Sequence, residues 1–134
     1  MKYLDTSALL KLLVRETHSA AMTRWAAGND LWSSSLLAIE AHRAALRLDI
    51  PSGEIDALLD EITLVFPAPA TFHAAQSIGQ VNLRTLDALH LATALEIGDE
   101  LECVVTYDQR LAASASTLGL DVVAPGLRSS WWAP

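Results

Sequence analysis

Two spacings of apolar residues alternate along this chain, one typical of buried strands and the other of helices. Short apolar runs at 2–5 and 103–108 each end in an aspartate, and the Val content of the second is typical of a strand buried in a parallel sheet. The longer segments between such runs carry apolar residues at helical spacing and are bounded by Ser, Thr, Gly and Pro. This alternation predicts an α/β fold in which helices cover both faces of a parallel sheet.

Capping and helix-breaking residues set the boundaries of the predicted elements. We predict strands at 2–5, 31–32, 64–66, 103–108 and 121–124. We predict helices at 8–14 after a cap at Thr6 or Ser7, 19–27, about 36–48 after caps at serines 33–35, 51–62, 71–80, 86–97 before Gly98, and 109–117. The result is a central sheet of about four or five strands flanked by helices.

Length and composition indicate one small globular domain. The 134 residues are 51% hydrophobic, and we expect a single domain over 1–134 with a short C-terminal tail from about residue 126. No apolar stretch is long enough to span a bilayer and no secretory signal is apparent, so we expect a cytoplasmic protein. The single cysteine, Cys103, is expected to be a small core residue.

The candidate chemistry lies in four acids from four separate segments. Asp5 and Asp108 close predicted strands, Asp87 opens a predicted helix, and Glu40 lies inside an apolar helix. In an open α/β sheet the functional crevice lies outside the carboxyl ends of the strands, where acids from several segments can meet. We therefore predict that the four carboxylates share one site.

Each acid also has a structural explanation. Asp5 and Asp108 precede helices and are favoured capping residues, and Asp87 would suit the positive end of its helix. Glu40 could simply pair with Arg43 one turn later. None of the four acids is decisive when considered alone.

A cluster of carboxylates requires a cation or bound protons. Two carboxylates about 4 Å apart repel by roughly 4 kcal/mol at an effective dielectric constant of about 20. Mg²⁺ or Mn²⁺ would relieve that repulsion, since hard cations prefer oxygen ligands. The four histidines have no zinc-type spacing with Cys103, and His90 is expected to be a packed or capping residue.

The net charge of −7 argues against broad adhesion to nucleic acid, although it leaves a nucleic-acid substrate open. Basic residues are concentrated in segments next to the four acids. A basic rim around an acidic pocket would be formed by Lys11, Arg15, Arg43, Arg47, Arg84 and Arg110.

Several short motifs together resemble the PIN-domain family, and in particular the VapC-type toxins of bacterial toxin-antitoxin pairs. The resemblance runs from residue 3 to about 123. It is carried by Leu4-Asp5-Thr6-Ser7-Ala8-Leu9, the mid-helix Glu40, Arg84-Thr85-Leu86-Asp87-Ala88-Leu89-His90-Leu91-Ala92-Thr93-Ala94, and Thr106-Tyr107-Asp108. The resemblance implies a PIN-like three-layer sandwich and a Mg²⁺- or Mn²⁺-dependent ribonuclease.

The resemblance also implies roles for individual residues and for partners. The catalytic acids would be Asp5, Glu40, Asp87 and Asp108, with Asp5 and Asp87 as the direct metal ligands and either Glu40 or Asp108 as the proton acceptor. The chemistry of the residues themselves adds further roles: the hydroxyls of Thr6 and Thr106 lie beside the acids and would either orient waters or ligands or act as capping or turn residues. Arg84, one turn before Asp87, would contact substrate phosphate, tune Asp87 or form a salt bridge. The implied partners are an RNA substrate and a VapB-type antitoxin protein, and we expect a homodimer and a hetero-oligomer with that antitoxin.

Two other functions stay open. One is a phosphotransfer or phosphatase domain with Asp5 as nucleophile, although such sites commonly use a second nearby acid or a late lysine, and Ser7 and Tyr107 occupy the positions near the two strand ends. The other is an inactive PIN scaffold that only binds a partner.

Apolar stripes on the first helices would form either part of the core or a groove for an antitoxin or a second copy of the chain. The stripes contain Leu9, Leu12, Leu13, Met22 and Trp25. Trp131 and Trp132 are expected to pack on the domain's own surface.

Overall fold

A computed structural model describes all 134 residues and confirms the α/β architecture, with a five-stranded parallel sheet flanked by seven α-helices. The strands are β1 (Lys2–Leu4), β2 (Leu31–Ser34), β3 (Thr63–Val65), β4 (Cys103–Val105) and β5 (Val122–Val123). The helices are α1 (Thr6–Leu13), α2 (Ser19–Ala26), α3 (Leu36–Leu48), α4 (Ser52–Leu59), α5 (Pro69–Ala75), α6 (Thr85–Ile97) and α7 (Gln109–Thr117).

The strand order β3-β2-β1-β4-β5 places the first strand at the centre of the sheet. Tyr3 pairs with Trp32 on one side and with Val104 on the other. Because all strands are parallel, β1, β2 and β4 end at the same edge of the sheet. The segments that follow β1 and β4 therefore start side by side at that edge.

The core lies on both faces of the sheet. Leu4, Leu9, Met22, Leu37 and Ile55 belong to the larger cluster of fully buried side chains. On the other face, α6 is buried continuously from residue 87 to residue 94, as expected for a helix that is apolar on all sides. Asp87, in the first turn of α6, is the charged residue of that buried stretch.

Several predicted boundaries were wrong. Asp5, rather than Thr6 or Ser7, caps α1 with its side chain. Ser33 and Ser34 belong to β2 instead of preceding α3 as caps. Of these two, only Ser34 contacts α3, where its hydroxyl oxygen accepts a hydrogen bond from the Leu36 N–H at 3.1 Å. Phe66 lies outside β3 and is 82% exposed. Helices α4 and α5 end at 59 and 75, earlier than predicted, and β4 ends at 105 because the chain turns toward the site before residue 108.

The apolar stripe of the first helices is part of the core. Leu9 and Met22 are fully buried, and Leu12, Leu13 and Trp25 pack against the same cluster. Cys103 is also buried in this cluster, as predicted. The large exposed apolar side chains lie outside α1 and α2, at Ile39, Leu46, Leu48, Phe66, Phe72, Val81, Leu86 and Leu118. None of the helices is both long enough and apolar enough to cross a membrane.

Candidate active site

One cavity of about 450 Å³ at the carboxyl edge of the sheet is lined by all four predicted acids, Asp5, Glu40, Asp87 and Asp108. They come from the end of β1, from α3, from the first turn of α6 and from the start of α7. Thr6, Ser7, Leu10, Arg47, Arg84, Thr85 and Leu86 complete the lining. Arg47 and Arg84 are the two members of the predicted basic rim that reach this cavity.

Asp5 is the most buried of the four acids, with 2% of its surface exposed. Its Oδ2 accepts a hydrogen bond from the Thr106 hydroxyl at 2.6 Å, and its Oδ1 accepts from the Ser7 hydroxyl at 2.7 Å and the Ala8 N–H at 3.0 Å. Burial raises the pKa of Asp5, and these hydrogen bonds oppose that rise. Asp5 therefore caps a helix and also places a desolvated carboxylate in the cavity.

Ser7 and Thr106 form a hydroxyl network that fixes Asp5. Ser7 Oγ accepts from the Tyr107 N–H at 2.8 Å and lies 3.2 Å from Thr106 Oγ1, which accepts from the Asp108 N–H at 3.0 Å. The network ties the end of β1 to the segment after β4. Sequence reasoning missed Ser7, although a hydroxyl two residues after a strand-ending aspartate was a usable signal.

Arg84 bridges two of the acids. Its Nε donates to Asp87 Oδ2 at 3.0 Å and its Nη2 donates to Asp108 Oδ2 at 2.9 Å. Burial raises the pKa of Asp87, while the hydrogen bond and the charge of Arg84 act in the opposite direction. The Arg84 side chain itself is 63% exposed, so a cation held mainly by these two carboxylates sits at the mouth of the site.

Asp108 combines capping with the ion pair. Its Oδ1 accepts from the Leu111 N–H at 2.9 Å and caps α7, while Oδ2 receives Arg84. Both oxygens of Asp108 therefore already have partners within the chain.

Glu40 is held by a histidine rather than by Arg43. The Glu40 Oε1 lies 2.5 Å from His90 Nε2, and His90 Nδ1 lies 2.8 Å from the Tyr3 hydroxyl. His90 is buried, with 1% exposed. The expectation that His90 is a packed residue is correct, but sequence reasoning missed its contact with an acid of the cavity.

The PIN domain family matches residues 2–116, which include all four acids. The chain belongs to the PIN-domain family. It is 36% identical over 133 residues to "Ribonuclease VapC47" of Mycobacterium tuberculosis strain CDC 1551 / Oshkosh, covering 94% of this chain and 98% of that protein. It is 38% identical over 125 residues to "Ribonuclease VapC46" of strain ATCC 25618 / H37Rv, covering 92% of this chain and 96% of that protein. The resemblance seen in the sequence motifs is confirmed.

The acids of this PIN domain supply the donor chemistry that a hard divalent cation needs. All four are oxygen donors, and the buried Thr6 hydroxyl in the same cavity has no hydrogen-bond partner within the chain. No three His, Cys, Asp or Glu side chains form a metal-binding group in this structure. Arg84 pairs with Asp87 and Asp108, and His90 pairs with Glu40. The residues fit a hard divalent cation in chemistry, and Arg84 supplies the positive charge in this structure.

The metal-free PIN domain is expected to become more stable as the pH falls from 7 toward 4. Burial raises the pKa of Asp5 and Asp87 in the folded protein above the ordinary value of 3.8, so the folded state binds protons more tightly than the unfolded chain. This stabilisation is complete below 3.8 and is lost as the pH rises through the folded pKa. Glu102, with its pKa lowered to about 2 by the N-terminal amine and Lys2, opposes the trend only below its ordinary 4.5.

The measurement is the melting temperature of wild type and Asp5→Asn in EDTA across this pH range. Because asparagine does not titrate, the variant should melt higher than wild type at pH 7, and the difference in melting temperature should shrink toward pH 4. A difference that is constant with pH would mean that Asp5 does not titrate with a raised pKa.

Proposed function

We propose that this PIN domain is a divalent-metal-dependent endoribonuclease and the toxin of a type II toxin-antitoxin pair. The observation that carries the proposal is that four acids from four separate segments line one cavity. The similarity over nearly the whole chain to proteins named VapC ribonucleases supports the RNA substrate. The reaction would be hydrolysis of an RNA phosphodiester bond by an activated water.

Asp5 and Asp87 would hold Mg²⁺ or Mn²⁺. When bound, the ion would lower the pKa of a water molecule and offset the charge that develops on the scissile phosphate. Thr106 and Ser7 keep the Asp5 carboxylate in place through the hydrogen bonds described above. Arg84, once released from the acids, would bind a phosphate oxygen, since guanidinium groups bind phosphate through paired hydrogen bonds.

The proton of the attacking water requires a carboxylate acceptor. Asp108 has a hydrogen-bond partner on each oxygen, whereas Glu40 uses only Oε1 within the chain. Glu40 Oε2 is free even while Arg84 is paired with the acids, whereas Asp108 Oδ2 becomes free only when Arg84 leaves, so Glu40 is our candidate for the general base. Asp108 would hold Arg84 in place until substrate binds.

The phosphotransfer alternative has less support. Both Asp5 oxygens already accept hydrogen bonds from the chain, and its neighbour Ser7 is a hydroxyl donor rather than a second acid. An attacking Asp5 would have to give up the bonds that fix the start of α1.

A VapB-type antitoxin is the protein partner that this proposal implies. An arginine from such a partner would meet the same carboxylates that Arg84 already occupies, because guanidinium binds carboxylates in paired geometry. Co-expression with a candidate antitoxin should suppress RNA cleavage, and changing its cavity-facing arginine to alanine should restore cleavage while the complex persists. A partner that binds tightly without ever inhibiting would refute this part of the proposal.

The deciding experiment incubates the purified protein with a mixed pool of structured RNAs. Cleavage is expected with Mg²⁺ or Mn²⁺ and is expected to disappear in EDTA and return when the metal is restored. Equal cleavage with and without EDTA would refute the metal dependence. Absence of cleavage with incorporation of labelled phosphate into the protein from a phosphodonor would favour the phosphotransfer alternative.

A further inference from the structure

His90 connects the centre of the sheet to the cavity. Its ring is buried in α6, and its two nitrogens have partners on two other elements, Tyr3 of β1 at Nδ1 and Glu40 of α3 at Nε2. Tyr3 is separated from His90 by 87 positions in the sequence, and Glu40 is separated from His90 by 50 positions. Both ring nitrogens therefore have the polar partners that a buried imidazole requires, and one of those partners, Glu40, lines the cavity.

The direction of the hydrogen bonds follows from the partner at the far end. The Ser34 N–H donates to the Tyr3 hydroxyl oxygen at 3.1 Å, and burial raises the pKa of Tyr3, so the hydroxyl keeps its own proton. A buried hydroxyl proton without an acceptor is costly, and His90 Nδ1 lies within reach as that acceptor. The proton of a neutral His90 is then on Nε2, where it donates to Glu40 Oε1.

This arrangement fixes an otherwise flexible acid. Holding a glutamate side chain in one conformation costs side-chain entropy, and the hydrogen bond from His90 offsets that cost before substrate binds. Oε1 is occupied by His90, while Oε2 has no hydrogen-bond partner in the chain. The acid therefore keeps one free oxygen at the cavity that it lines.

We propose that His90 is a positioning residue which, as the Nε2–H tautomer set by Tyr3, anchors Glu40 so that its second oxygen is free to accept the proton of the attacking water. The inference rests on the proposed ribonuclease function for its catalytic consequence. Its structural part, the tautomer and the hydrogen bond to Glu40, is independent of any activity.

The structural part is tested by nitrogen-15 NMR of the histidine side chains in the metal-free protein. We expect His90 to show a protonated Nε2, an unprotonated Nδ1 and an Nε2 proton that exchanges slowly with solvent. In Glu40→Ala the same proton should exchange faster, because its acceptor is gone. An Nδ1–H tautomer in wild type, or exchange that does not change in Glu40→Ala, would overturn the proposal.

The catalytic part is tested by a double-mutant cycle on RNA cleavage. His90→Asn lacks a donor that can reach Glu40 and should lower kcat about 10- to 100-fold with little change in KM, the usual cost of losing an outer partner of a functional side chain. His90→Gln keeps an N–H near the position of Nε2 and should recover part of that loss. In the Glu40→Ala background His90→Asn should have no further effect, whereas effects that multiply would mean that His90 does not act through Glu40.

His42→Gln is the matched control, since His42 forms a histidine–carboxylate pair with Asp56 at 2.9 Å that is partly exposed and does not line the cavity. Its kcat should equal that of wild type, and a comparable loss would overturn a specific role for His90. Should His90→Asn fail to fold, His90→Gln and the NMR result decide the proposal. Wild type that does not cleave RNA would refute the proposed function and the catalytic part together, and the NMR result would still decide the anchoring of Glu40.

Discussion

Asp5→Asn is expected to reduce RNA cleavage about 1,000-fold while leaving the metal-free protein folded. Asparagine keeps the shape of the side chain but removes the charge that would bind the metal. The several kcal/mol that a bound metal contributes to a phosphoryl-transfer barrier correspond to about three powers of ten in rate. The measurement is the rate of RNA cleavage at saturating Mg²⁺ under single-turnover conditions.

The same substitution separates catalysis from folding. Asp5 is 2% exposed, and a neutral amide in its place removes the cost of burying a charge. Asparagine is as good a helix cap as aspartate, so its Oδ1 can still accept the Ala8 N–H. The melting temperature without metal should therefore rise at pH 7.

Asp121→Asn is the matched control, because Asp121 is exposed and lies before β5, away from the cavity. It should leave both cleavage and melting temperature unchanged. If Asp5→Asn cleaves RNA at the wild-type rate, Asp5 is not a metal ligand. If the variant unfolds, the role of Asp5 is structural.

Local signals in the sequence were sufficient to predict the sheet edge where the site lies. A strand that ends in aspartate and runs directly into a helix marks a carboxyl end, and both Asp5 and Asp108 have this context. Their capping roles and their place in the cavity are compatible, because a helix that starts at the sheet edge presents its cap to the crevice. Asp5 and Asp108 are therefore both caps and lining residues of the cavity, and their catalytic role stays a prediction.

The contacts between the acids and their partners could not be predicted in the same way. Arg84 reaches Asp108 across 24 positions, and His90 reaches Tyr3 across 87. Such pairs depend on which elements become neighbours and on the rotation of each helix, and neither is encoded in a short window. The alternative in which Glu40 pairs with Arg43 does not occur for this reason, since the rotation of α3 brings Glu40 to α6 instead.

Mg²⁺ or Mn²⁺ is expected to raise the melting temperature of wild type and to raise that of Arg84→Ala more. Metal binding to the folded state stabilises that state by mass action. A carboxylate that is already paired with the Arg84 guanidinium is less available to the metal. Arg84 holds Asp87 at 3.0 Å and Asp108 at 2.9 Å through an exposed side chain. Because an exposed ion pair contributes at most about 1 kcal/mol, its removal should tighten metal binding by about two- to fivefold.

Titration calorimetry measures the change in metal affinity, and Arg24→Ala is the control. Arg24 is an exposed arginine of α2 that does not line the cavity, so its removal changes the net charge equally without freeing an acid. Equal affinities in the two variants would show that Arg84 does not compete with the metal. A flat melting temperature in wild type up to tens of millimolar metal, on the order of the range in which weak sites fill, would count against the metal site itself.

Cleavage by Arg84→Ala should change in the opposite direction from metal binding. If Arg84 leaves the acids to bind a phosphate oxygen, its loss removes hydrogen bonds to a charged group that contribute about 1.5–3 kcal/mol, and kcat/KM should fall about 10- to 100-fold at saturating metal. A side chain that served only as a salt bridge would give tighter metal binding with unchanged or faster cleavage. Tighter metal binding together with slower cleavage would therefore assign both roles to Arg84, first as the cation that holds the empty site together and then as a ligand of the substrate.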